Sequence, residues 1–284
     1  MSHYLKNFVG IILSFMFMHG NLFAQEAAII DISFGVYQSD KASEMHQKFK
    51  PLVNHLSLEV SRLLDSPAKV RLKIYASYQD ALNAIIEGEV DFVRFGPASY
   101  ILAKEKQPGI RLLAIEEKKG KTRFKGLIVV LNDSPIQRLS DLKGHSFAFG
   151  NENSTIGRYL AQSELLLEGV NSSLLTKSAF LGRHDKVFKA IELGDFDAGS
   201  LKESTFKKMN KNKQLRVVHS FENVTKPWVA RAGLQPVIFS ALSTSLIKLS
   251  NVKLLKRYKV SGFLHVDDEQ YQYVRDHMQR SKRF

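Results

Sequence analysis

The segment from residue 69 to 96, "KVRLKIYASYQDALNAIIEGEVDFVRFG", contains the pattern that decides the fold. Its first part alternates charged and apolar residues, as a half-buried strand does, and "VDFVRF" near its end is a more apolar strand. Between them, apolar residues recur at helical intervals, and Gly88 is suited to end that helix. The order strand, helix, strand predicts a largely parallel sheet with right-handed crossovers.

The rest of the chain repeats this order in two groups. "AIIDISFGVY" (28–37) is a buried strand, and the second half places strands and helices in the same alternation from "SFAFG" (146–150) onward. Two extended stretches, "KGLIVVLND" and "KPWVARAGL", are the natural crossings between the groups. We therefore predict two α/β lobes, residues 25–125 plus 227–284 and residues 126–226, with a ligand-binding cleft between them.

The first residues have the pattern of a secretory signal peptide. Lys6 supplies an early positive charge, an apolar run extends from residue 8 to 18, and "LFA" precedes Gln25, which predicts cleavage after Ala24. A signal anchor is the alternative, but the run is shorter than the roughly 20 residues of a spanning helix. The chain has no cysteine, which excludes disulfides and a lipid anchor on an N-terminal Cys. The predicted location is the periplasm.

The net charge of +13, from 41 Lys and Arg against 28 Asp and Glu, raises the possibility of a nucleic-acid partner. The basic residues are scattered, without interleaved aromatic residues or a known nucleic-acid module, so a solvated basic surface is the better interpretation. Such a surface favours encounters with anionic small molecules. Motifs typical of metal ligation, phosphate loops, dinucleotide binding or an activated nucleophile are missing, so we predict no metal, no cofactor and no enzymatic activity.

The segment "NSTIGRYL" (153–160) is a candidate anion site. The first turn of a helix leaves backbone N–H groups unpaired and carries partial positive charge. The hydroxyl groups of Ser154 and Thr155 add donors beside the N–H groups through Ile156 and Gly157, and a glycine lets a ligand approach closely. The alternative is that Ser154 is only a helix cap, which is the commoner meaning of this pattern by itself.

Two further residues are candidates for ligand contact. His184, followed by Asp185, lies in a turn that opens a helix, and its imidazole can donate a hydrogen bond to an oxyanion. Tyr78 lies at a strand-to-helix turn, where its hydroxyl can reach the cleft. Helix capping is the alternative for the first, and packing in the core or at the rim is the alternative for the second.

Taken in the order in which they occur along the chain, these segments resemble the phosphate/phosphite/phosphonate substrate-binding proteins of ABC transporters. The most specific parts are "DSPIQRLSDLKG" (133–144), Ser-Thr-x-Gly at 154–157 and Gly-x-His-Asp at 182–185. The resemblance implies a periplasmic-binding-protein type II fold, with a hinge and an inter-lobe cleft, that acts as a monomer with an inner-membrane permease. It places the oxyanion cradle on Ser154, Thr155, Ile156 and Gly157, and further ligand contacts on His184, Tyr78 and, with a one-residue shift, Glu203.

Three positions depart from the family pattern. Ile156 stands where many relatives have Ser, Phe124 where they often have Tyr, and Lys226 where they have Asp. The missing acid and the added Lys argue against an amino-phosphonate. A bare oxyanion, a more acidic ligand or a different substrate altogether stay open.

The resemblance implies a periplasmic protein that captures a phosphonate-like oxyanion for an ABC transporter. We expect neutral hydrogen bonds and helix dipoles to bind the ligand, without chemistry on it. The alternative is a sensory protein whose ligand-bound form signals to a membrane kinase or a diguanylate cyclase. The same fold serves both functions, and the sequence carries no signalling domain that decides between them.

Overall fold

The computed structural model describes residues 28–38 and 42–284, which form two mixed β-sheets with helices packed on them. The first sheet, in the order β11-β4-β10-β3-β1-β2, contains β1 (Ile30–Tyr37), β2 (Ala68–Tyr75), β3 (Phe92–Arg94), β4 (Arg111–Glu117), β10 (Pro227–Ala230) and β11 (Gly262–Leu264). The second, in the order β7-β6-β8-β5-β9, contains β5 (Arg123–Leu131), β6 (Ser146–Phe149), β7 (Lys177–Phe180), β8 (Ala198–Lys202) and β9 (Leu215–Val224).

The helices follow the strands along the chain. They are α1 (Ala42–Leu64), α2 (Tyr78–Ile86), α3 (Pro97–Lys106), α4 (Ala161–Leu167), α5 (His184–Glu192), α6 (Glu203–Met209), α7 (Pro236–Ile247), α8 (Val252–Tyr258) and α9 (Gln272–Ser281). The segment Thr155–Leu160, directly before α4, is a π-helix. The helix expected to start within "NSTIGRYL" therefore begins with a wider turn, a feature that recurs at functional sites.

In each sheet three neighbouring strands pair in parallel, and the remaining pairings are antiparallel. In the first sheet β1 pairs parallel with β2 and β3, whereas β10 is antiparallel to both β3 and β4. In the second, β6 pairs parallel with β7 and β8, whereas β5 is antiparallel to β8 and β9. The expectation of largely parallel sheets is thus right for the strand-helix-strand units only. It fails where the chain passes directly from one sheet to the other, since β5 and β10 then enter their sheets in the opposite direction.

Two short segments, residues 118–122 and 225–226, connect the sheets side by side. The Thr225 N–H donates to the Thr122 carbonyl at 2.8 Å, and the Glu116 N–H donates to the Lys226 carbonyl at 3.2 Å. The first bond joins the two connections, and the second joins the end of β4 to the second connection. We call the two connections together the crossing. The predicted crossing stretches are the strands β5 and β10, which begin directly after these connections.

The predicted division into lobes follows the two sheets, and its boundaries stay a prediction. Helix α9 contacts α3, beside the first sheet, and also α4, beside the second. The side chain of Phe284, beyond α9, packs against the core of the second sheet. The C-terminal segment therefore contacts both lobes rather than the first alone.

No single helix among residues 28–38 and 42–284 is long and apolar enough to cross a membrane. Helices α7 and α8 pass that test only as a pair, and the pair is bent by 92°. The predicted signal peptide and its cleavage site after Ala24 lie outside the described residues.

Candidate anion-binding site

A cavity of about 210 Å³ lies between the two sheets, next to the crossing. Five predicted ligand residues line it, and besides Tyr78 they are Ser154, Thr155 and Ile156 at the start of the π-helix and His184 at the start of α5. We call these last four residues the neutral wall. All of them are buried, with 4 to 8% of each residue exposed. Two helix starts that are distant in sequence therefore point at one space.

Ser154 is a helix cap and also faces the cavity. Its Oγ accepts a hydrogen bond from the Gly157 N–H at 3.0 Å, and its carbonyl accepts from the Tyr159 N–H at 3.3 Å, which is the π-helical pairing. A hydroxyl that accepts one hydrogen bond still has its own proton to donate. The capping and anion-binding interpretations of Ser154 are therefore compatible.

Thr155 joins the two lobes at the edge of the cavity. Its Oγ1 accepts a hydrogen bond from the Ala98 N–H, in the first turn of α3, at 2.9 Å. Beside it, the Asn153 amide donates to Gln79 Oε1 at 3.2 Å. The lobes are thus in direct contact around the neutral wall.

Gly157 does not line the cavity. A Cβ atom at this position would lie 2.8 Å from the Cα of Gly150, and the Gly150 N–H donates to the Gly157 carbonyl at 2.7 Å. The glycine is needed because the π-helix packs directly on the backbone that follows β6. We expected it to admit a ligand, and the structure shows a different reason for the residue.

Tyr78 and Glu203 have different surroundings. The Tyr78 ring lines the cavity and stacks on Tyr37, with 3.7 Å between ring centroids. Glu203 is outside the lining, and its Oε1 accepts a hydrogen bond from Lys207 Nζ at 2.7 Å along α6. Its neighbours Lys202 and Ser204 line the cavity instead, so the acidic contact expected at Glu203 is absent from this arrangement of the described residues.

The opposite side of the cavity carries positive charge that sequence reasoning missed. It is formed by Lys48 of α1, Arg94 of β3, and Lys118 and Lys226 of the crossing, which we call the charged wall. Lys202 and Lys259 add two further cations at the mouth. Among the described residues that line the cavity, none is an Asp or a Glu. The expectation that neutral hydrogen bonds alone bind the ligand does not match this composition.

Arg94 is held by a buried carboxylate behind the wall. Its guanidinium makes two hydrogen bonds to Glu116, one of them from Nη2 to Oε2 at 3.0 Å. The Tyr258 hydroxyl and the Trp228 indole N–H also donate to Glu116, at 3.0 and 3.3 Å. Burial raises the pKa of Glu116, but the Arg94 guanidinium outweighs it and holds that pKa at about 2. Arg94 and Glu116 are therefore both charged and fixed in orientation.

The lysines of the charged wall have no such carboxylate. Among residues 28–38 and 42–284, Lys48, Lys118 and Lys226 make no ion pair within 4 Å, and each amine lies over an aromatic ring instead. Desolvation lowers the pKa of Lys48 to about 7 and, together with repulsion from Arg94, holds the pKa of Lys226 well below its ordinary value. Desolvation also lowers the pKa of Lys118. The cavity thus holds amines whose positive charge is disfavoured by desolvation and paired with no carboxylate of the described residues.

Asn223, on β9, adds a second indication that the cavity is built for a ligand. The residue is 2% exposed, and its Oδ1 accepts no hydrogen bond from the part of the chain that the structure describes. A buried polar atom without a partner costs free energy, so a bound ligand is its natural partner. The amide can present either its oxygen or its NH₂ group, because the two are assigned from the hydrogen-bond network.

Signals for the missed residues were present in the sequence, but only as exceptions to a pattern. Arg94 is a charged residue inside an apolar strand, and Lys48 lies on the apolar face of α1 between Met45 and Phe49. Lys226 stood out as a departure from the family pattern. No group of three or more His, Cys, Asp or Glu side chains in the described ranges is placed to hold a metal ion.

The fold and the cleft together define the class of protein to which this chain belongs. Two mixed α/β sheets joined by a double crossing, with a ligand cavity between them, form a periplasmic-binding-protein type II fold. Residues 34–271 match the family described as "ABC transporter, phosphonate, periplasmic substrate-binding protein", and the chain belongs to this family.

Individual relatives are distant but extend over most of the chain. A curated relative, the "Probable ABC transporter phosphite binding protein PhnD1" of Prochlorococcus marinus (strain MIT 9301), is 25% identical over 78% of this chain and 82% of its own. The "Phosphate-import protein PhnD" of Mycolicibacterium smegmatis is 24% identical over 83% of this chain and 76% of its own. A solved structure of PhnD1 from Prochlorococcus marinus, in complex with methylphosphonate, superposes with a TM-score of 0.76 at 23% identity, covering 89% of this chain and 99% of that one.

These matches confirm the predicted fold class, the predicted family and the role as a solute-binding protein of an ABC transporter. The family is periplasmic and consists of substrate-binding transport proteins. The sensory alternative is not favoured by them.

Proposed function

We propose that this protein captures a phosphorus oxyanion in the cavity between its lobes and delivers it to an inner-membrane ABC permease, without chemical change to the ligand. The observation that carries the proposal is the convergence of Ser154, Thr155 and His184 with the four basic side chains of the charged wall on one cavity. Phosphoryl oxygens accept hydrogen bonds from hydroxyl, imidazole and ammonium donors, and bonds to an ionised group are the stronger kind. Binding of phosphite, phosphate or methylphosphonate by relatives supports this choice of ligand class.

Closure of the lobes on the ligand is the proposed mechanism of capture. The paired connections of the crossing are short, and two wall lysines, Lys118 and Lys226, belong to them. A bound anion draws these cations and the neutral wall together, because it is attracted to both sides of the cavity. We further propose export by a signal peptide cleaved near Ala24, and action as a monomer.

The test is binding of methylphosphonate, phosphite and phosphate by calorimetry, with sulfate and acetate as comparisons. Ser154→Ala removes one hydrogen bond to a charged ligand, which is worth about 1.5–3 kcal/mol, so the affinity falls by one to two orders of magnitude. Combining it with Thr155→Ala weakens binding further.

The matched control is Ser250→Ala, because Ser250 is exposed and outside the cavity lining. Loss of the Ser154 cap lowers stability by about 1 kcal/mol, so thermal melts verify that the variant is folded at the assay temperature. Unchanged affinity in a folded Ser154→Ala, Thr155→Ala protein would remove the neutral wall from the binding site.

A further inference from the structure

The charged wall has more positive charge than one small phosphonate requires. Arg94 is already paired with Glu116, but Lys48, Lys118 and Lys226 make no ion pair within 4 Å in the described residues, lie over aromatic rings, and are attracted by Glu116 only from a greater distance. A ring attracts a cation weakly compared with a carboxylate, and it carries no net charge. Placing several like charges around one desolvated space is costly unless an opposite charge enters it. The ligand is the source of that charge.

The cavity continues outward in the direction of further cations. A second cavity of about 310 Å³ shares Lys48, Lys202 and Lys259 with the first, and Lys208 and Arg257 line the second alone. Glu44 is the one acidic residue among its described lining residues, and it is paired with Lys208 at 3.2 Å. Space and positive charge therefore extend together from the neutral wall to the mouth.

The two ends of this space differ in what they bind well. At the inner end, hydroxyl and imidazole donors of the neutral wall suit the tetrahedral oxygens of a phosphoryl group. At the outer end, Lys48, Lys202 and Lys259 are flexible ammonium groups that attract any anionic group without requiring one geometry. One ligand that reaches from end to end satisfies both.

We propose that the ligand carries a phosphoryl group together with a second anionic group, as in a phosphonocarboxylate or a diphosphate, and that the second group lies against Lys48, Lys202 and Lys259. This inference rests on the proposed function, because it assigns the inner end of the cavity to a phosphorus oxyanion. The place of Glu203 outside the cavity agrees with it, since the described lining residues then offer no carboxylate to a ligand's amino group.

The protonation of Lys48 supports the same conclusion. Desolvation brings the pKa of Lys48 to about 7, where Arg94, Lys202 and Lys118 repel its charge and Glu116 attracts it. An anion beside Lys48 favours the charged amine, so binding takes up a proton near neutral pH. Calorimetry in buffers with different heats of ionisation measures this uptake directly.

The experiment compares methylphosphonate with phosphonoacetate and pyrophosphate at equal ionic strength. We expect both two-group ligands to bind at least about tenfold more tightly than methylphosphonate, or about 1.4 kcal/mol. Lys48→Met lowers that ratio about tenfold and reduces the proton uptake, whereas Lys48→Arg keeps the ratio. Lys259→Asn, at an exposed position with a φ of 64° that Asn tolerates, lowers the ratio in a protein whose core is untouched.

The controls separate this inference from the proposed function. Lys211→Met, at an exposed position outside both cavities, leaves the ratio unchanged. Methylphosphonate binding as tightly as phosphonoacetate would overturn the inference and leave the proposed function standing. Tight binding of malonate or sulfoacetate, with no binding of any phosphorus compound, would overturn the proposed function itself.

Discussion

The two walls of the cavity recognise an anion by different physical means. The neutral wall offers two hydroxyl groups, an imidazole and helix starts, and capping bonds such as that from the Gly157 N–H to Ser154 Oγ fix their directions. The charged wall offers ammonium groups with little directional preference, around the rigid pair of Arg94 and Glu116. The neutral wall is therefore suited to select the shape of an oxyanion, and the charged wall to select its charge.

The largest loss of stability is expected from removing Glu116, the carboxylate that pairs with Arg94 behind the charged wall. Glu116→Leu leaves Arg94 buried without its partner, which costs about 3–5 kcal/mol of the free energy of unfolding. Urea denaturation measures the loss. Glu59→Gln, which breaks an exposed pair with Arg62 on α1, is the control and changes stability by less than about 1 kcal/mol. If Glu116→Leu lost no more than the control, solvent rather than Glu116 would balance Arg94.

A smaller loss of stability is expected at Gly157, where the start of the π-helix packs on the backbone of Gly150. Gly157→Ala places a methyl group 2.8 Å from the Gly150 Cα, so the start of the π-helix must move. Overpacking of this kind costs about 1–3 kcal/mol, and the shift of Ser154 also weakens ligand binding. Gly262→Ala, where the nearest atom is 3.4 Å from the new methyl, is the matched control. Equal stability of the two variants by thermal denaturation would contradict this packing.

The smallest expected change in stability is an increase rather than a loss. Lys226→Met removes a repelled, partly desolvated charge, so it raises the stability of the ligand-free protein by about 1 kcal/mol while it weakens anion binding. The folded-state pKa of Lys226 lies below the ordinary 10.5, so its destabilising effect is complete below that folded pKa and disappears as pH rises toward 10.5. The gain in stability is therefore largest at low pH.

Denaturation of wild type and Lys226→Met across this pH range measures the difference, with Lys211→Met as the exposed control. A variant that is less stable than wild type at neutral pH would mean that Lys226 has a stabilising partner in the folded protein.

The residues of the neutral wall could be predicted from the sequence because their signals are local. A Ser before a helix, a His in a helix-opening turn and a Tyr at a strand end each depend on a few neighbouring residues, and the cavity brings Ser154, His184 and Tyr78 together. The same reasoning placed Glu203 in the site on a shifted match, and the structure gives its carboxylate to Lys207. The direction that a helical side chain takes depends on the packing of α6, which a short motif does not contain.

The charged wall could not be assembled from the sequence in the same way. Lys48, Arg94, Lys118 and Lys226 come from a helix, a strand and two connections, and only the folded chain brings them to one cavity. In a chain with 41 basic residues, each of them by itself resembled one more solvated charge. Composition alone therefore favoured a basic surface.

The two α/β lobes, the helix starts that hold the neutral wall, and the family could all be predicted from the amino-acid sequence, because periodicity, capping and short motifs are properties of neighbouring residues. The tertiary structure alone decided that both sheets are mixed, that Gly157 supports the packing of a helix on Gly150, and that lysines from distant segments face one space. Strand direction depends on how the chain passes from one sheet to the other through the crossing. The position of the lysines around one cavity depends on the same path, which involves residues that are far apart in the sequence.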